Sequence, residues 1–287
     1  MNQAQEERLL PLALRAAARA AEVIMDIYKS ADTQDLGVRQ KEDNTPVTRA
    51  DMASNQAIAE ALAPSNIPIL SEETVHEDYV TRESYPLLWV VDPLDGTKEF
   101  IKRNDMFAVC IALVENHRAV MGVVAVPVLG QVYFTQGGKA YRATLSAKGE
   151  AQNHVLLPIT FGPVPHIVLS SVSHPSPSAQ HLEGLLKSKA GWTDVTLMGV
   201  GSCIKQCMIA EGSAAFYPRM GTTMEWDTAA GQAIIEAAGG SLLLASFSPD
   251  GTAIDLGSPL TYNRPVLKNP DFLAVAHGID LSVFGKI

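Results

Sequence analysis

The sequence predicts an α/β protein built from stacked layers of helix and sheet. Three observations predict it. Two amphipathic helical patterns precede the first strand signal, apolar β runs follow one another between residues 107 and 134, and strands alternate with helices from 166 to 238.

The elements follow in chain order. Leu9, Leu12, Ala13, Ala16, Ala20, Val23, Ile24 and Ile27 recur at helical spacing, which predicts a long amphipathic helix over 4–29. Lys41-Glu42-Asp43-Asn44-Thr45-Pro46 is turn-rich. Thr48 offers an N-cap for a second helix over 49–63, ended by Pro64. Ile67–Leu70 predicts a short strand. The continuous apolar run Leu87–Val91, bounded by Pro86 and Asp92-Pro93, suits a buried strand. Phe107–Val114, Ala119–Val126 and Gln131–Phe134 are separated by Asn116-His117 and by Pro127 with Gly130, as in a meander, and Gly137-Gly138 begins another hairpin. A soft boundary falls at 145–165, dividing the chain into an α+β part, 1–150, and an α/β part, 151–287. Beyond it the pattern predicts strand 166–171, helix 176–189, strand 193–198, helix 202–211, strand 214–217 and helix 227–238. There are no internal repeats or low-complexity tracts.

Composition narrows the partners. Over 287 residues the net charge is −9, with 47% hydrophobic and 18% charged residues. Such a chain is globular, and its acidic surface disfavours nucleic-acid backbones. A small anion remains a suitable ligand where local cations reverse the sign of a site. Cys110, Cys203 and Cys207 form no disulfide framework and fit a reducing compartment. Cys203 and Cys207 share a helical face, but no second ligand pair accompanies them, so all three read as buried small hydrophobes rather than zinc ligands. Glu6, Glu7, Arg15, Arg19 and Glu22 interrupt the N-terminal apolar stretch, which predicts neither a signal peptide nor a membrane span. The expected location is the cytoplasm, and a loose association with the inner face of the cell membrane is compatible with it. The oligomeric state is left open.

Three segments carry acids where chemistry needs them. In Asp92-Pro93-Leu94-Asp95-Gly96-Thr97 a buried strand delivers two carboxylates into a turn, with the Leu94 carbonyl between them and Gly96 allowing close backbone approach. Oxygen-only donors suit a hard cation such as magnesium. A short helix opening at Gly96-Thr97 would turn free N–H groups toward an anion. Read alone, the same residues also suit an ordinary Asx turn. Glu72, in Leu70-Ser71-Glu72-Glu73, stands at a strand end, where α/β sheets place their sites. Asp227, in Trp226-Asp227-Thr228-Ala229-Ala230-Gly231, could be no more than a helix-terminal acid. Composition does not say that the three segments meet. No Gly-x-Ser-x-Gly elbow is present, and His76, His117, His154, His166, His174, His181 and His277 lack ligand spacing and read as surface or structural residues.

Together and in this order, with Asp51 in Pro46-Val47-Thr48-Arg49-Ala50-Asp51 upstream, these segments resemble the inositol monophosphatase superfamily of magnesium-dependent, lithium-sensitive phosphatases. The resemblance covers nearly the whole chain and is least diagnostic over 140–190. Thr97-Lys98-Glu99-Phe100-Ile101-Lys102-Arg103-Asn104, Gly201-Ser202-Cys203-Ile204-Lys205 and Tyr217-Pro218-Arg219 resemble the bisphosphate nucleotidase branch, although Asp105-Met106 stands where relatives often have Gly-Glu. The resemblance implies a layered αβαβα sandwich and two or three Mg²⁺ per site. It implies metal ligation by Glu72, Asp92, Asp95, Asp227 and the Leu94 carbonyl, and water activation by Asp51 and Thr97 with Glu72 in support. Substrate contacts would come from Glu72, Leu94, Asp95, Gly96, Thr97, Lys205, Arg219 and Asp227. Lys98, Lys102 and Arg103 are further basic residues near the metal loop and equally suit a solvated cluster. The implied reaction removes the 3'-phosphate of adenosine 3',5'-bisphosphate to leave AMP, with the sulfated form, the adenylyl sulfate phosphate donor, as a second candidate substrate. An inositol or sugar monophosphatase, and a non-catalytic nucleotide- or magnesium-binding regulator, are the competing readings.

Overall fold

The computed structural model describes residues 1–30, 36–41, 45–74, 76–159, 162–173, 177–248 and 250–284. Residues 42–44 of the expected turn, His174 and the first residue of the expected helix 176–189 lie outside them.

The chain opens with α1 (Gln3–Ser30), which buries the stripe Leu9, Ala13, Ala16, Ala17, Ala20 and Ile24. A two-strand ribbon, β1 (Arg39–Gln40) and β2 (Pro46–Val47), leads into α2 (Arg49–Leu62). Thr48 caps α2 and Asp51 closes a reciprocal capping box, the Asp51 Oδ2 accepting from the Thr48 backbone N–H at 2.7 Å. Then come β3 (Ile69–Ser71), α3 (Tyr79–Glu83), β4 (Leu87–Asp95) and α4 (Thr97–Lys102). The meander runs through β5 (Ala108–Glu115), β6 (Arg118–Val126), β7 (Gln131–Gln136), β8 (Lys139–Leu145) and β9 (Ala151–Leu156). The alternating half contains β10 (Ile167–Ser171), α5 (Ser178–Lys189), β11 (Thr196–Val200), α6 (Ile204–Glu211), β12 (Phe216–Arg219) and α7 (Ala229–Ala237). Three further strands, which the sequence reading did not anticipate, end the fold: β13 (Ser241–Phe247), β14 (Ile254–Pro259) and β15 (Phe272–Val275).

Two sheets organise these elements. The first has seven strands in sequential order β3 to β9, parallel only between β3 and β4; the second has six, in the order β11-β10-β12-β15-β13-β14. Helices α1 and α2 cover the outer face of the first sheet, burying Trp89, Val91, Val109 and Ile111. Helices α6 and α7 lie between the sheets, against Leu88, Val90, Cys110 and Ala112 of the first and Tyr217, Phe272 and Ala274 of the second. Helix α5 covers the far face of the second sheet through Leu182, Leu185 and Leu186. The result is the expected αβαβα sandwich.

One irregularity positions the site. In β4 and β5, Asp92 pairs with Cys110, whereas Asp95 pairs with Ala108. Three residues of β4 therefore span two of β5, a β-bulge at Pro93-Leu94. In a regular strand, residues three apart point to opposite faces. The extra residue reverses that parity, so Asp92 and Asp95 both face the layer of α6 and α7.

Candidate active site

Each acid is held by its own local structure. Asp92 is 2% exposed, and its Oδ1 accepts from the Leu94 N–H at 3.0 Å, which closes the bulge. Glu72 continues the parallel ladder, its N–H donating to the Val91 carbonyl at 3.1 Å, so it lies beside Asp92. Asp227 lies in a 3₁₀ turn, Glu225–Asp227, just before α7, rather than in the helix as expected; its Oδ2 accepts from the Met224 N–H at 2.7 Å. Ligand atoms of Glu72, Asp92 and Asp227 all lie within 4.8 Å of one another. Asp95 stands at the edge of this group. Its Oδ2 accepts from the Ser202 hydroxyl at 2.8 Å and from the Cys203 N–H.

The loop between Asp95 and α4 demands glycine. Gly96 has φ +95°, and a Cβ there would meet the Met106 carbonyl oxygen at 2.9 Å and Ser202 Cβ at 3.3 Å. Thr97 follows as the first residue of α4. Its hydroxyl donates to Asp51 Oδ1 at 2.9 Å and lies 3.3 Å from the Leu94 carbonyl. Asp51, 1% exposed, reaches the site through this bond while its other oxygen serves the α2 cap.

One cavity of about 460 Å³ collects the rest. Glu72, Asp92, Leu94, Asp95, Gly96, Thr97, Lys205, Arg219 and Asp227 all line it. Lys205 is 4% exposed, with its ammonium donating to the Val200 and Ser202 carbonyls at 3.1 and 2.5 Å and lying 5.2 Å from the Tyr217 ring. Arg219, 6% exposed, donates to the Thr222 carbonyl at 3.3 Å. Of the other basic candidates, Lys98 lines the cavity and Lys102 donates to Ser173 at 3.1 Å. Arg103 turns away, donating to the Tyr28 carbonyl at 2.6 Å over that residue's ring.

The electrostatics are those of an acid cluster in want of cations. Burial, with the charges of Glu72, Asp95 and Asp227 added, pushes the Asp92 carboxyl well above its ordinary range; burial with Asp95 and Glu72 does the same to Asp227. Burial raises Glu72 despite Lys41, and raises Asp51 despite the hydrogen bonds from Thr48 and Thr97. Burial lowers Lys205. These donors are all hard oxygens from carboxylates and a nearby carbonyl, converging in a cavity, which is the donor set that suits magnesium.

Several residues of the site escaped the sequence reading. Lys41 bonds Glu72 at 2.8 Å and Glu73 at 2.5 Å; burial depresses its ammonium, and the two carboxylates more than restore it. Burial pushes Glu73 up to about 7. His76, read as a surface or structural residue, lines the cavity, tilted against Trp226 at 5.3 Å, with Nε2 bonded to the Ser71 carbonyl at 2.8 Å. Ser202 lies in a segment singled out only for its likeness to nucleotidases. A lysine ahead of a turn carries no local signal for such a role, because its partners lie 31 and 32 residues away.

The inositol monophosphatase family model matches residues 5–274, and the chain belongs to that family. Among curated relatives, the 3'(2'),5'-bisphosphate nucleotidase CysQ of Salmonella typhimurium is 38% identical over 233 residues, covering 80% of this chain and 88% of its own. The protein of the same name from Aggregatibacter actinomycetemcomitans is 34% identical over 270 residues, covering 92% and 91%. Among solved structures, CysQ from Bacteroides thetaiotaomicron superposes with a TM-score of 0.79 at 39% identity, over 93% of this chain and 96% of that one. No helix among the described residues is long and apolar enough to cross a membrane.

Proposed function

We propose that the chain is a magnesium-dependent 3'(2'),5'-bisphosphate nucleotidase, removing the 3'-phosphate of adenosine 3',5'-bisphosphate to give AMP and phosphate. It would act in the cytoplasm, on nucleotide released by sulfur assimilation. The observation that carries the reading is the meeting of Glu72, Asp92 and Asp227 in one cavity with Thr97, whose hydroxyl bonds Asp51 behind it, in a chain whose relatives of that name match it over four-fifths or more of its length.

Glu72, Asp92, Asp95, Asp227 and the Leu94 carbonyl would hold two or three Mg²⁺. When bound, magnesium supplies positive charge for the phosphate dianion, acidifies water and offsets charge on the departing ester oxygen. The chain's own part is positional and protonic. Thr97 would orient the attacking water, taking its proton at Oγ1 while passing its own to Asp51 Oδ1 along the 2.9 Å hydrogen bond. The raised pKa of Asp51 suits it as the acceptor. Glu72 supports the same water. Backbone N–H groups at Gly96 and Thr97 would face the phosphoryl oxygens. Lys205 and Arg219 would meet the second phosphate, Arg through a bidentate grip.

Phosphate release from adenosine 3',5'-bisphosphate, inositol 1-phosphate and fructose 1,6-bisphosphate, measured side by side, tests the substrate; a preference for either of the last two overturns it. Asp92→Asn with a magnesium titration tests the metal site, and full activity at saturating magnesium overturns that part.

A further inference from the structure

We propose that Cys110 and Cys203 are an oxidation site: a peroxide converts them to a disulfide that shifts Asp95 and weakens metal binding. The inference goes beyond the proposed activity, and its readouts use no substrate.

The geometry carries it. Cys110 lies in β5 and Cys203 at the N-cap of α6, 93 residues apart, with their sulfurs 2.7 Å from each other. Non-bonded heavy atoms rest at about 3.5–4.0 Å, and a disulfide closes to about 2.05 Å. A zinc dithiolate, with bonds of about 2.3 Å at tetrahedral angles, would hold its sulfurs about 3.8 Å apart. The observed spacing leaves no room for a metal between the sulfurs and puts the two free thiols in direct contact, so a bond needs only a small shift of either side chain. Both cysteines sit on constrained backbone. Cys110 is in register with Asp92. Two residues before Cys203, Gly201 packs against α4 and the start of the meander, where a Cβ would meet Glu99 Cγ and Met106 Cβ at 2.7 Å each. Cys203 is 2% exposed but lines the active-site cavity, through which a small oxidant would reach it; burial raises both thiols, so the oxidation is slow and needs excess peroxide. The third cysteine, Cys207, lies in α6, one turn further along.

The chemistry balances. The Cys203 sulfur attacks one oxygen of hydrogen peroxide, the O–O bond breaks, and sulfenic acid and water result. The Cys110 sulfur then attacks that sulfur and expels a second water, which carries off the thiol proton. Two thiols are oxidised, one peroxide is reduced, and two waters leave.

The bond reports on the metal site because the Cys203 N–H and the Ser202 hydroxyl are the partners of Asp95 Oδ2. Drawing Cys203 toward β5 moves both donors. Disturbing the hydrogen-bond partners of a ligand costs about tenfold or more in metal affinity.

The test uses the purified, reduced full chain treated with hydrogen peroxide. Non-reducing peptide mapping by mass spectrometry reads the linkage, and calorimetric titration with Mg²⁺ reads the affinity before treatment, after it, and after dithiothreitol. Expected are a Cys110–Cys203 linked peptide and about tenfold weaker Mg²⁺ binding, restored by dithiothreitol, in both the wild type and Cys207→Ala. Cys110→Ala should show neither. Should that variant fail to fold, the wild-type peptide map decides the linkage and the dithiothreitol reversal decides the coupling. A map without that link, a link through Cys207, or a Cys110–Cys203 link with unchanged Mg²⁺ affinity each overturns the proposal.

Discussion

Asp92→Asn should stabilise the metal-free protein while abolishing its response to magnesium. Ligand atoms of Glu72, Asp92 and Asp227 lie within 4.8 Å of one another, so each ionised pair repels by about 3.5 kcal/mol or more at an effective dielectric constant of about 20. The fold escapes this by holding protons, which is why burial and like charge raise Asp92. The unfolded chain has no such constraint and ionises at its ordinary pKa. A carboxyl raised in the folded state contributes stability that is fully present below the unfolded pKa and is lost as pH rises toward the folded value. The metal-free wild type therefore weakens from about pH 4 upward, by about 1.4 kcal/mol for each unit of displacement. Asparagine keeps the Oδ1 that accepts from Leu94 N–H but has no proton to lose. At pH 7.5 the variant should gain about 1–3 kcal/mol without metal, a Tm rise of about 2–5 °C. At pH 4 the difference should close. With Mg²⁺ at about a thousandfold excess over Kd the order should reverse, since only the wild type gains binding energy, about 4.1 kcal/mol. Calorimetry with and without EDTA at both pH values reads all three comparisons. A metal-free variant less stable than wild type at pH 7.5, or a difference independent of pH, would refute the reasoning.

Other consequences are as direct. Thr97→Ala should lower kcat by about 10²–10³-fold at saturating magnesium, with Tm nearly unchanged and Thr97→Ser largely active; equal losses in both would make the hydroxyl irrelevant. Because Asp92, Asp227 and Glu72 are raised, protons compete with the metal, so calorimetric Mg²⁺ affinity should fall as pH is lowered from 8 to 6. Lys205→Ala should raise KM for adenosine 3',5'-bisphosphate about tenfold more than for a simple monophosphate; equal effects would assign the lysine to the loop carbonyls alone. Gly96→Ala, strained at φ +95° and pressed on the Met106 carbonyl, should cost about 2–3 kcal/mol, read as a lower Tm.

What was legible in the sequence is what neighbours along the chain decide. Thr48 with Asp51, the apolar stripe of α1 and the run into Asp92 are local signals; the first two mark their helices within a residue, and the third marks the start of β4, which runs four residues past the expected Val91 to Asp95. The strands β13 to β15 were missed for the opposite reason. β15 is four wholly buried residues with no period to read, and it belongs where it is only because β12 and β13 flank it. The same division runs through the site. Asp92 and Asp95 were readable as a pair, but their shared face depends on a register shift against β5, which β4 alone does not encode. That shift also explains why a correct reading of the cysteines was incomplete. Cys110 and Cys203 are buried small residues, 1% and 2% exposed, as their apolar settings implied. Yet Cys110 is the register partner of Asp92, and the bulge that turns Asp95 to the same face brings that acid to the loop bearing Cys203. Acids and thiols share one face of the sheet, so a change in the sulfurs would be felt at Asp95, a proposed metal ligand.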